Sequence, residues 1–151
     1  MNGPVICGIE GASDDSVARV ARELAERYEL PLFFVHVLQD ADGHENAARL
    51  LRDATAPGNG ELAIESGHPA DRLVELSRNR DASFLVVGNH GPRSSLLGSI
   101  SADVSRRAAC PVVVVPRTVG PSAAKQASGS DPDVRGGIVR LGLSHAVRRV
   151  A

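Results

Sequence analysis

Short apolar runs alternate with longer amphipathic stretches along the first 116 residues. Pro4–Ile9 is an apolar run that reads as a strand. Ser13–Glu29 follows with Val17, Val20, Ala21, Leu24 and Tyr28 at i, i+3, i+4, i+7 spacing, and Arg19, Arg22, Glu23 and Glu26 off that face, which predicts a helix. Ser13 is its expected N-cap, Asp14 and Asp15 suit the positive end of the helix dipole, and Pro31 fits the stop. Leu32–Leu38 is apolar on both faces, as a central parallel strand should be. Asp42–Ala54 has helical spacing through Ala47, Leu50, Leu51 and Ala54, and Pro57–Gly60 reads as a loop. Leu62–Glu65 alternates, the pattern of a half-exposed edge strand. Pro69–Arg80 predicts a helix with proline in its first turn, Ser83–Gly88 a strand, Ser99–Ala109 a helix and Val112–Val115 a last strand closed by Pro116.

Five strands alternating with four helices imply right-handed crossovers, hence a parallel α/β sheet with helices on both faces. From Thr118 the pattern changes. Residues 118–137 are rich in Gly, Pro, Ser and Ala and read as a flexible linker. Residues 138–151 regain a pattern, with Val139, Leu143, Ala146, Val147 and Val150 on one face of a short amphipathic helix. The expected organisation is therefore one domain over 1–117, a linker and a tail.

Composition narrows the class. The chain has 151 residues, 42% hydrophobic and 23% charged, enough for one ordinary globular core. Aromatics are only 3%, so the core is built from Val, Leu, Ile and Ala. The net charge of −1 offers no basic excess for nucleic acid. No apolar run approaches a membrane span of ~20 residues, and the N-terminus lacks a leader-like segment, so no membrane role and a cytoplasmic setting are expected. Cys7 and Cys110 have neither metal nor redox spacing and read as buried, small apolar residues.

Candidate chemistry gathers at two glycine-bearing strand-to-helix turns, Gly8–Ser13 and Gly88–Ser99, because ligands of open α/β sheets bind at the carboxyl ends of strands. Glycines admit a ligand close to backbone amides, and Gly98-Ser99 opens a helix whose free N–H groups favour an anion. Ser99 and Ser101 add hydroxyls. The alternative is that these glycines serve only the turns. No Walker A lysine and no dinucleotide GxGxxG pattern is present. His90 reads as a surface-loop histidine lacking an orienting acid, and His36 as a core or sheet-face histidine. Ser94 and Ser95 near His90 do not form a Gly-x-Ser-x-Gly elbow, so a serine hydrolase is not expected.

Gly67-His68-Pro69-Ala70-Asp71, Val86-Val87-Gly88-Asn89-His90-Gly91, Leu96-Leu97-Gly98-Ser99-Ile100-Ser101 and Cys110–Pro116 resemble a universal stress protein domain over about residues 3–117. The resemblance implies an open five-stranded parallel sheet in the order 3-2-1-4-5, of the adenine-nucleotide alpha-hydrolase kind, and a homodimer through the last strand, Val112, Val113, Val114 and Val115. It also implies an adenine-nucleotide site for ATP, with Mg²⁺ accompanying it, at Glu10, Gly11, Val37, Gly88, Gly91, Arg93, Gly98, Ser99 and Ser101. Val35 is an alternative to Val37 as the adenine-contacting position. The family's Gly-x-x-Gly, nine-residue spacer and Gly-Ser pattern is shortened: Pro92–Leu97 supplies six residues. Three missing residues remove ~10 Å of extended chain; Pro92 removes a further N–H, which Arg93 partly offsets as a phosphate grip. Glu10 stands where the family pattern has Asp. Function reads as a stress-response or regulatory binding module, not an enzyme beyond slow ATP hydrolysis. A dimeric scaffold that binds no nucleotide is the alternative, and an adenylate-transferring enzyme is disfavoured for want of a second domain.

Overall fold

The computed structural model describes residues 2–11, 14–39, 43–56, 58–90 and 98–116. The linker and tail expected beyond residue 117 lie outside these. Nine elements follow one another: β1 (Val5–Gly8), α1 (Asp15–Tyr28), β2 (Leu32–Leu38), α2 (His44–Thr55), β3 (Glu61–Ser66), α3 (Pro69–Asn79), β4 (Phe84–Gly88), α4 (Ser99–Arg107) and β5 (Val112–Val115). The strands form one parallel sheet in the order β3-β2-β1-β4-β5.

Register and side-chain alternation divide the core in two. Ile6 lies beside Phe33 of β2 and Leu85 of β4, and Cys7 beside Phe34 and Val86. Because successive strand residues face opposite ways, Val5, Cys7, Phe34, Val86 and Val113 pack with Val17, Val20, Ala21 and Leu24 of α1 and Leu51 of α2. Ile6, Phe33, Val35, Leu85 and Val112 pack on the other face with Leu73 and Val74 of α3 and Val104 of α4. Strands buried on both faces need apolar residues at every position, so β1, β4 and β5 read as unbroken apolar runs. β3, on the edge, stays partly exposed, and Leu62 is one of two exposed large apolar residues among those described.

The helix ends differ from the sequence expectation by a residue or two. α1 starts at Asp15, and Ser13 lies outside the described residues. Asp14 occupies the N-cap position but makes no side-chain bond to the helix. The helix closes at Glu29, which adopts a left-handed φ of 53° before Pro31 leads into β2. At β5 the side chains of Val112–Val115 are already buried, none more than 5% exposed. What this edge has to offer another chain is its backbone, not an apolar side-chain surface.

Candidate functional site

The strand order turns back at β1, which lies between β2 and β4. α1 leaves β1 toward one face of the sheet and α4 leaves β4 toward the other. The carboxyl ends of the two strands are therefore not covered by their own helices, and a crevice opens there. It encloses about 440 Å³. Gly8, Ile9 and Glu10 wall it from β1, Val35–Gln39 from β2, Val87 and Gly88 from β4, Pro69 and Leu73 from α3, and Ile100 from α4. Gly8 is needed for close packing: a Cβ there would lie 3.0 Å from Leu73 Cδ1.

Asp14 organises the β1 corner. It is 2% exposed. Its Oδ2 accepts the N–H groups of Glu10, at 2.7 Å, and Gly11, at 3.0 Å. Its Oδ1 lies 3.0 Å from His90 Nε2, and Glu10 Oε2 lies 3.6 Å from the same nitrogen. The Asp14 contact falls off the hydrogen-bond axis, and the buried Nε2 has no in-line acceptor among the described residues. An unprotonated nitrogen lone pair so close to a carboxylate would be repulsive, so the proton belongs on Nε2. Across the crevice, His36 Nδ1 donates to the Ile9 carbonyl at 2.7 Å. Partial burial pushes the Glu10 carboxyl above its usual range; His90 pulls it back, Asp14 adds to the rise, and His36 opposes it. Burial, reinforced by the Asp14 charge, pushes the Cys7 thiol far up, which leaves it unreactive.

At the β4 corner, the Gly98 N–H donates to Asn89 Oδ1 at 2.7 Å. The first α4 hydrogen bond runs from Ala102 N–H to Gly98 O at 2.9 Å. The N–H groups of Ser99, Ile100 and Ser101 precede it and have no partner within the helix. Ile100 brings this first turn into the crevice wall.

Of the residues expected to bind nucleotide, Glu10, Val37 and Gly88 line one cavity, and Ser99 sits at the exposed start of α4. Gly11 and Gly98 stand at the two corners, but their N–H groups are already taken by Asp14 and Asn89. Ser101 is buried, and its hydroxyl donates to the Gly98 carbonyl at 3.0 Å. Gly91 and Arg93 lie outside the described residues. His90 is not an unpaired surface histidine, because Asp14 and Glu10 reach it. Asp14, His90, Asn89 and the crevice-lining His36 are what sequence reasoning missed. The one available signal was Asp14 four residues after Glu10, a spacing from which a side chain can bond back to a turn.

A second cavity of about 600 Å³ opens at the amino end of β2, walled by Arg22, Glu26, Leu30 and Gly58–Gly60 among others. Arg22 donates to the Thr55 carbonyl and lies over the Phe34 ring. Gly58 covers its Nε so closely that an added Cβ would sit 2.6 Å away, which makes the guanidinium part of the wall.

Residues 38–116, just over half the chain, match the universal stress protein family. The chain belongs to that family. A universal stress protein of Mycobacterium tuberculosis is 29% identical over 142 residues, covering 74% of this chain and 47% of the relative. A second from the same species is 47% identical over 55 residues. The chain spans about half the length of the first of these relatives. Among solved structures, a universal stress protein in complex with cAMP superposes with a TM-score of 0.62 at 28% identity, over 78% of this chain and 98% of that one. A universal stress protein from Archaeoglobus fulgidus, at 20% identity and a TM-score of 0.59, shares the fold over 76% of this chain and 98% of its own. Family membership accounts for the strand order and for a crevice at the carboxyl ends of β1 and β4.

Proposed function

We propose that the crevice binds an adenine nucleotide and that this universal stress protein acts as a stress-response or regulatory binding module, not as an enzyme. The observation that carries the reading is the meeting of two unlike surfaces in one cavity. Apolar walls from Val35, Val37, Leu73 and Ile100 suit a purine, and the first turn of α4 presents to a phosphate amides that have no partner among the described residues. The base then lies against the ends of β1 and β2, near Glu10, Gly11 and Val37. The phosphate lies over Gly88 and the start of α4 at Gly98 and Ser99, and Gly91 and Arg93, outside the described residues, are further candidate contacts. Ser101 contributes its backbone amide, its hydroxyl being engaged. The relative crystallised with cAMP supports the ligand class.

ATP is the first nucleotide to test. Mg²⁺ would accompany the phosphates; no group of three or more His, Cys, Asp or Glu side chains able to hold a metal ion occurs among the described residues. No described helix is long and apolar enough to cross a membrane; a cytoplasmic setting and a homodimer paired through the β5 backbone edge complete the proposal, with residues 1–117 as the binding domain.

A scaffold that binds no nucleotide is the competing reading. It is favoured by the amides of Glu10, Gly11 and Gly98 being satisfied from within the chain. Denaturing the purified protein and identifying released nucleotide by mass, followed by calorimetric titration with ATP–Mg²⁺, separates the two. Bound adenylate, or a saturable titration, supports the crevice. Neither would leave the scaffold.

A further inference from the structure

One carboxylate, Glu10, lines the crevice proposed to hold a phosphate, and a second, the buried Asp14, lies behind it within reach of the same His90 nitrogen. Among the described residues, the titratable groups that act on Glu10 are Asp14 at the start of α1, His36 on β2 and His90 past the end of β4. No Lys or Arg appears among the described residues lining the cavity. Asp14 Oδ2 accepts the N–H groups of Glu10 and Gly11, and its Oδ1 lies 3.0 Å from His90 Nε2. With both histidines neutral, the described side chains here carry two negative charges. A phosphate entering the same crevice brings more.

We propose that this site admits a phosphate-bearing ligand together with one proton, held on the Glu10–His90 pair, so that the pair and not the backbone cradle sets which ligand charge is accepted. The inference rests on the adenylate reading above. Its geometric basis is Glu10 Oε2 lying 3.6 Å from His90 Nε2, with Glu10 itself in the cavity wall. A unit charge brought to about 6 Å at an effective dielectric of ~20 changes proton affinity by roughly a hundredfold, and by less where water reaches the site. The Glu10 carboxyl is already displaced upward by burial, so that further push moves proton uptake toward neutral pH. A neutral nucleoside brings no charge and acts on Glu10 only through the water it displaces, so it draws less proton uptake than a phosphate-bearing ligand.

The test uses the full chain and two probes, adenosine and cAMP. The cAMP phosphodiester keeps one charge throughout pH 5.5–8, so any proton exchanged in that range comes from the protein. Isothermal titration is run at several pH values in buffers of different ionisation enthalpy. The expected result is uptake approaching one proton with cAMP, and a Kd that rises up to about tenfold per pH unit over part of the range, the limit for one linked proton. Adenosine should change less than twofold. Glu10→Gln should flatten the cAMP profile and tighten binding at pH 8, and His90→Gln should also flatten it while weakening binding at pH 6. Matching circular dichroism spectra establish that both variants fold. If cAMP binds with no proton uptake and a Kd equal within twofold at pH 6 and 8, the proton-linked site is overturned and the adenylate reading stands. Full uptake retained in Glu10→Gln overturns the assignment to the pair. Failure of both probes to bind at every pH overturns the adenylate reading and this inference with it.

Discussion

At the end of β1, the free amides of the turn already hold an anion, because Asp14 folds back onto the N–H groups of Glu10 and Gly11. At the end of β4, the corresponding cap is a neutral amide: Asn89 takes the N–H of Gly98, and the next three N–H groups of α4 have no partner among the described residues. Both corners face the same crevice and both begin a helix. One carries the protein's own carboxylates, Asp14 and Asp15, at its positive end, and the other has no acidic residue in its first turn. Under the adenylate proposal, that difference favours the α4 corner for the phosphate, a preference the glycine count of a turn does not reveal.

The largest effect comes from removing the built-in anion. Asp14→Ala leaves two N–H groups and the His90 Nε2 without their carboxylate in a buried place, and should cost about 3 kcal/mol in chemical denaturation. A loss below about 1 kcal/mol would mean that the β1 corner does not depend on it. Next is Gly88→Ala. A Cβ would lie 2.7 Å from His90 Nε2 and 3.2 Å from Val17 Cγ2, so the imidazole must leave Asp14 or the strand must shift, at about 1–2 kcal/mol. An unchanged melting temperature would place His90 elsewhere.

The sharpest comparison is to make the second corner like the first. Asn89→Ala should lose the cap at a cost of about 1 kcal/mol. Asn89→Asp should keep the fold stable while placing a fixed charge where the phosphate would go, and should weaken nucleotide binding about tenfold by calorimetry. Equal binding by Asn89→Asp and the natural chain would move the phosphate away from α4. The smallest effect is on stability against pH in Glu10→Gln. The folded-state pKa of Glu10 is raised, so between the ordinary carboxylate value and the raised one the folded protein holds more protons than the unfolded chain. Stability is then lost as pH rises through that window, and the loss is complete above it. The variant should be slightly more stable than the natural chain at pH 7–8 and equal to it near pH 3.5. A reversed sign would show that His90 outweighs burial at Glu10.

Strand and helix positions were legible because a sheet buried on both faces demands unbroken apolar runs, and Val112–Val115 is placed to the residue. Sheet order was not in the periodicity; it came with the family likeness. Glu10, Val37 and Gly88 were legible as crevice residues because strand ends bearing glycine mark where backbone and ligand approach. The charge arrangement was not. Asp14 and Asp15 are neighbours of identical type, yet Asp14 is buried and Asp15 exposed, a distinction set by the turn before α1. His90 meets Asp14 across 76 positions of chain, and only the β1–β4 pairing brings them together. His36 reaches the Ile9 carbonyl because Ile9 continues the β1–β2 ladder, donating its N–H to the Val35 carbonyl at 2.8 Å.

The most direct test of the crevice is a backbone amide titration of the full chain by NMR with cAMP and with ATP–Mg²⁺. Shifts concentrated on Glu10, Val37, Gly88, Ser99 and Ile100 are predicted. Shifts confined to the opposite end of the sheet, at Gly58–Gly60, or none at millimolar ligand, would contradict it.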